Sequence, residues 1–216
     1  MRLYQQGAAI TALVLAAIAP QSASAQRTDS YTWKLGLDGG IMAFRTQTQN
    51  TKVIPSAGAH ILIMERRAGL QFGVDEGIGS NEKTAPSNLI LFNDIRRYQA
   101  MLMAFPVAGS IEPYFGIGGG ILQVVGPRVD PTSTAAQDPA TAATLLTNAQ
   151  QESASGFFGA LAGVQGKSGR ITIFAQGQID SSPGSSSLLR SELLSLLGGI
   201  RISLGSAREG VAAGGY

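Results

Sequence analysis

The chain has no cysteine. That excludes a disulfide scaffold, and with His60 the only histidine it also excludes a zinc site of the usual kind. Charge is scarce as well: 14% of residues are Asp, Glu, Lys or Arg, against about 25% in soluble domains. The 16 Lys+Arg and 14 Asp+Glu nearly cancel and form no basic block, which argues against a nucleic-acid partner. Aromatic content is low at 6%. Beyond the N-terminal segment, no stretch has the ~18 apolar residues of a membrane helix.

The first residues, "MRLYQQGAAITALVLAAIAPQSASAQ", supply the next constraint. Arg2 gives a positive start, Gly7 to Ala19 is a short apolar run, and Ala23-Ser24-Ala25 is a small-residue cleavage box. This reads as a secretory signal peptide over 1–25, removed after Ala25. Its loss takes away only Arg2, so the formal charge falls from +2 to +1. An exported chain that is poor in charge and lacks a helical span has one other way to live in lipid, a closed β-barrel. The expected organisation is a barrel domain over 26–205, a long outer loop at 126–155 and a C-terminal extension over 206–216.

The mature chain alternates with period 2, as half-buried strands do. Tyr31, Trp33, Leu35 and Leu37 oppose Lys34, Gly36 and Asp38. Ala57, Ala59, Ile61 and Ile63 oppose Gly58, His60 and Leu62; Leu70, Phe72 and Val74 oppose Gly69, Gln71, Gly73 and Asp75. Tyr98, Ala100 and Leu102 oppose Arg97, Gln99, Met101 and Met103. The segment "PYFGIGGGI" sets Phe115, Ile117 and Ile121 against Gly116, Gly118 and Gly120. It is not a dinucleotide loop, because position 121 is Ile and no helical pattern follows. Three more segments close the set. Phe158, Ala160, Ala162 and Val164 oppose Gly159, Gly163 and Gln165; Ile171, Ile173 and Ile179 oppose Thr172, Phe174, Gln176 and Gln178; Leu196, Ile200 and Ile202 oppose Ser195, Gly199 and Arg201. The reading is an all-β, eight-stranded antiparallel up-and-down transmembrane barrel, apolar outward and polar inward. The glycines line a narrow lumen that larger side chains from neighbouring strands fill.

Connection lengths agree, since they alternate. "ERR" at 65–67, "PVAGS" at 106–110 and "GKSG" at 166–169 are tight, whereas 79–88, 126–155 and 181–189 are longer and polar. Loop 126–155 offers few apolar anchors, so it is expected to be mobile and open to protease near Arg128, with a short helix conceivable over Ala140–Gln151.

The chain resembles the small eight-stranded outer-membrane barrels of the OmpA/OmpX-like group. The residues that carry this are Pro113-Tyr114-Phe115-Gly116-Ile117-Gly118, Phe174-Ala175-Gln176 and Gly199-Ile200-Arg201-Ile202, within a likeness covering roughly 30–204. It implies a fold and an outer-membrane location more strongly than an activity. Outer-membrane lipid, lipopolysaccharide and the barrel-insertion machinery are the implied partners of a monomer, with the ligand of the loops unspecified. The last strand ends near Leu204 rather than on a terminal aromatic residue, and Tyr31, Trp33, Phe72, Tyr98 and Phe115 are the candidates for interfacial girdles.

Catalytic chemistry finds little support. A serine–histidine pair of the kind used by lipid A deacylases and acyltransferases needs base and nucleophile within hydrogen-bond reach. His60 is followed by Ile61 and Leu62, and no His-x-Ser element exists. No cofactor is expected; Asp75, Glu76 and Asp94 could hold calcium only as scattered acids. The informative residues are the inward polar ones: Lys34, Asp38, His60, Asp75, Arg97, Gln176 and Arg201. They are read as a structural lumen network, since unpaired charges in a narrow interior are expensive. The expected role is structural or interactive, without an open pore. A lipid A-modifying barrel enzyme, a narrow pore and a soluble periplasmic lipocalin-like barrel stay open as alternatives.

Overall fold

A computed structural model describes residues 31–46, 51–79, 82–84, 89–181 and 188–206. Eleven strands form in chain order: β1 (Thr32–Thr46), β2 (Lys52–Glu65), β3 (Ala68–Gly77), β4 (Glu82–Thr84), β5 (Ile90–Phe92), β6 (Asp94–Ala104), β7 (Ile111–Val125), β8 (Arg128–Val129), β9 (Ala154–Ser168), β10 (Ile171–Ser181) and β11 (Leu189–Ser206). Eight of them close an antiparallel barrel in the order β1-β11-β10-β9-β7-β6-β3-β2. Each barrel strand pairs with the barrel strand before it in the chain, and β1 closes on β11 through a register that sets Leu37 opposite Ile200. This is the all-β, up-and-down architecture that the alternation implies.

The alternation decides which way each side chain points. Trp33, Leu35, Leu37, Phe72, Leu102, Phe115, Ile117, Ile173 and Ile202 lie exposed on the outer wall, while Leu62, Met101, Met103, Phe174, Arg97 and Arg201 are buried inside it. All five proposed girdle aromatics stand on the exterior. No helix among the described residues is long and apolar enough to cross a membrane, which says nothing against a barrel.

Strand β7 carries the alternating glycines, and its pairing explains two of them. Gly118 and Gly120 lie opposite Met101 and Gln99 on β6. A Cβ at Gly118 would land on the carbonyl oxygen of Ala100, and one at Gly120 on that of Tyr98. The demand is therefore sharper than lumen space: at these two positions the neighbouring backbone itself takes the place of a side chain. Gly116 is mixed: a Cβ there would meet Met103 Sδ first, then the Leu102 carbonyl oxygen and Leu161 Cγ.

The connections differ between the two ends. At one end the turns are Arg66–Arg67, Phe105–Ser110 and Gly169–Arg170. The third lies a little beyond the predicted 166–169, because β9 runs on to Ser168. Arg66 and Gly169 take left-handed φ values of 54° and 59°, as tight hairpins require. At the other end lie the long connections. There β4, β5 and β8 form a small antiparallel sheet, and a 3-10 turn over Thr134–Gln137 leads into helix α1 (Pro139–Gln151).

This ordered cap corrects the expectation for the long loop. The helix falls where the sequence suggested one, but its apolar anchors were underestimated. Ala149 is buried and Leu145 packs against the apolar cluster at the barrel mouth. Arg128 lies within β8, pairs with Leu91 and donates to Asn93 Oδ1 at 2.7 Å, so it is not the free protease target expected. The proposed signal peptide over 1–25 and the extension beyond Ser206 lie outside the described residues; β11 itself ends at Ser206, two residues past Leu204.

Candidate functional site

The lumen holds the chemistry-bearing residues, stacked in layers. At the mouth with the long connections, Met42, Phe44, Ile54, Ile95, Leu122, Val124, Phe157 and Leu193 from the barrel wall meet Ile90, Phe92 and Leu188 from the connections. Phe44 and Phe92 pack with ring centroids 5.9 Å apart. Toward the short-turn end a second apolar cluster gathers Leu62, Met64, Met101, Met103, Phe105, Tyr114, Leu161 and Phe174.

The charged groups pair between and beside these layers. Arg97 on β6 donates from Nε and Nη2 to Asp75 Oδ2 on β3, at 3.0 and 2.9 Å. Its Nη1 donates to Asp180 Oδ2 on β10 at 2.6 Å and to Ser195 Oγ on β11 at 3.1 Å. Gln99 donates to Asp75 Oδ2 at 2.9 Å. Gln178 donates to Gln99 Oε1 and Asp180 Oδ1, at 2.7 and 2.8 Å. One guanidinium thus serves two carboxylates whose strands lie on different sides of the barrel, a task suited to its planar fork of donors.

A second set centres on Arg201 of β11. Its Nε–H donates to His60 Nε2 at 2.8 Å, its Nη1 to Gln165 Oε1 at 3.0 Å and its Nη2 to Gln71 Oε1 at 3.2 Å. The guanidinium carbon stands 3.9 Å from the Phe174 ring centroid, a stacked cation–π contact. Arginine only donates, so His60 Nε2 must accept and Nδ1 must carry the ring proton. That Nδ1–H then donates to Asp38 Oδ2 at 2.8 Å. His60 is a neutral bridge between a carboxyl and a guanidinium. Both of its ring nitrogens are occupied, neither by a hydroxyl.

All seven residues expected in the lumen are buried there: Lys34, Asp38, His60, Asp75, Arg97, Gln176 and Arg201. Asp38, His60 and Arg201 form one chain, and Asp75 and Arg97 form another. Gln176 accepts from Tyr114 Oη at 3.0 Å, and the Tyr114 ring centroid lies 5.3 Å from the Arg201 guanidinium carbon. Lys34 joins neither by a direct bond and sits in the field of Lys167, Arg201 and Glu112. Sequence reasoning missed two charged members, Asp180 and Glu112. Asp180 follows the inward series Gln176–Gln178 by the same parity, and Glu112 precedes Tyr114 in the same way. Glu112 Oε2 accepts from Gln165 Nε2 at 2.8 Å and from Lys167 Nζ at 2.6 Å near the short-turn end. Among the described residues no group of three or more His, Cys, Asp or Glu is placed to hold a metal ion.

A closed eight-stranded antiparallel wall, apolar outside, with a filled and ion-paired interior and its long connections at one end, can be compared with known proteins. The crystal structure of neisserial surface protein A superposes with a TM-score of 0.57 at 11% identity, covering 79% of this chain and 96% of that one. The fold is that of the small outer-membrane β-barrels. The N-terminal barrel domain of Pseudomonas aeruginosa OprF gives a TM-score of 0.47 at 7% identity, covering 79% of this chain and 97% of the domain. The attachment invasion locus protein Ail of Yersinia pestis, solved with the heparin analogue sucrose octasulfate, gives 0.48 at 10% identity, covering 82% of this chain and 100% of that one. No protein-family model matches the chain. No curated protein matches it. In this small-barrel fold the interior has room for side chains and little else, and here those side chains are the two apolar clusters and the paired charges between them.

Proposed function

We propose that the chain is an integral outer-membrane barrel with a structural and surface-contact role, and that it does not conduct. The observation that carries this reading is the inversion of the wall. Every barrel strand presents an outer face of aliphatic and aromatic side chains, where Leu37, Leu102, Ile173 and Phe158 are each more than half exposed. Asp75, Arg97 and Asp180 turn inward and pair. A soluble lipocalin-like barrel needs the opposite arrangement, so an outer face of this kind suits hydrocarbon and not water.

The filled lumen supports the second half of the proposal. An open pore needs a continuous polar path, whereas the cluster around Phe44, Phe92 and Leu188 closes the mouth with apolar side chains. Contact with other molecules then falls to the end where the small sheet and α1 stand, because the opposite end offers only short turns. Expression in a host with two membranes tests the reading. The chain should sediment with the outer membrane, need detergent for extraction, and run faster on a gel unheated than heated. Recovery from the soluble periplasmic fraction without detergent would refute it.

A further inference from the structure

Asp38 Oδ1 is buried and has no hydrogen-bond partner in the structure. Register places Asp38 on β1 and Asp75 on β3 on either side of Gly58 on β2. The two side chains lean toward each other across that glycine. Oδ1 of each stands against the space that a Cβ on Gly58 would fill. Two ionised carboxylates meeting this way bring only acceptors, with no hydrogen between them.

We propose that Asp38 and Asp75 share one proton, carried on Asp38 Oδ1 and donated to Asp75 Oδ1, so that the gap above Gly58 is a proton-binding site in the barrel wall. The donors on each side assign the proton. Asp75 Oδ2 accepts two bonds from the Arg97 guanidinium and one from Gln99, which fit an ionised carboxylate. Asp38 receives only the neutral imidazole N–H of His60. Close carboxyl pairs elsewhere hold a proton for the same reason: two like charges cannot both ionise at short range in a poorly solvated site. The titratable and charged groups facing the pair are His60 from β2, Arg97 from β6, Tyr114 from β7, Asp180 from β10 and Arg201 from β11.

Infrared spectroscopy of the refolded mature chain in micelles tests the proposal. At pH 7 the wild type should show the carbonyl stretch of one protonated carboxyl, shifted by deuterium exchange. Asp38→Asn places an amide N–H where the proton stood, so it should refold and lack the band. Asp75→Asn supplies the same donor from the other side and gives the same readout should the first variant not refold. A pH series supplies an independent reading. The folded wild type keeps a proton that an unfolded aspartate releases above about pH 4. As pH rises from there, its folding equilibrium should fall relative to Asp38→Asn by up to about tenfold per pH unit. The difference between the two curves isolates the pair from the other carboxylates. Absence of the band, its survival in Asp38→Asn, parallel pH curves or failure of both variants to refold would overturn the proposal. So would stability that depends on sodium without a protonated band, which would mark a bound cation in the gap.

Discussion

Arg97 shows how much a single lumen residue holds. It is fully buried and is the shared partner of Asp75 and Asp180, so removing it leaves two carboxylates facing an apolar interior. Arg97→Met should therefore cost about 3–5 kcal/mol, the usual effect of breaking a buried ion pair from one side. Urea unfolding of the refolded chain checks this. Arg96, one residue earlier, points the other way and pairs with Glu76 at a third of full exposure, so Arg96→Met should leave the unfolding midpoint nearly unchanged. Glycine positions allow a similar contrast. Gly120→Ala would drive a methyl group into the Tyr98 carbonyl, whereas a Cβ at Gly177 would meet only Leu196 Cδ2, at an ordinary 3.5 Å. Refolding yield should collapse for the first and hold for the second; equal yields would refute the backbone-approach account of the β7 glycines.

Strands carry their identity in parity, and that is why they could be read from sequence. Period 2 needs only neighbouring residues, so the inward and outward sets of all eight barrel strands were legible, including the poorly charged β7. Short elements held by distant partners were not. Strand β8 has only two residues and exists because Ile90 and Leu91 pair with Val129 and Arg128 across the mouth. The helix over 139–151 was legible in outline, but its anchoring was not, since Ala149 joins a cluster built from residues far from it in the chain. The facing of β10 and β11 gives a direct check. Ile202→Arg and Ile173→Arg should each cost about 2–4 kcal/mol of membrane-embedded stability. Thr172→Arg, buried on the inner face, should instead fail by overpacking. Matched effects of Ile173→Arg and Thr172→Arg on insertion would contradict the assigned faces. At α1, Asp138 caps the first turn. The Thr141 hydroxyl bonded to it holds its carboxyl below the usual carboxylate range, with the Ala140 and Thr141 backbone N–H groups helping. A carboxyl lowered on folding stabilises above its ordinary range and loses that contribution as pH falls through the lowered one. Protection of α1 against hydrogen exchange, taken relative to the intrinsic rate at each pH, should fall on such acidification, and Asp138→Ala should abolish that pH dependence.

At the scale of the whole molecule, closure depends on residues far apart in the chain. Strand β1 meets β11, and Arg97 reaches Ser195 across 98 positions. Parity marks Arg97, Asp180 and Ser195 as inward, but nothing local says that they touch. The inventory of the lumen was therefore largely legible and its wiring was not. That wiring bears on the proposal that the barrel does not conduct, because paired charges and packed apolar clusters occupy its interior among the described residues. Planar-bilayer recording of the refolded chain tests this most directly. The account predicts a silent baseline with at most rare, brief openings, because the cluster around Phe44, Phe92 and Leu188 packs at one mouth and Arg97 and Arg201 are bonded across the lumen. A stable, voltage-independent conductance of the porin kind would contradict it.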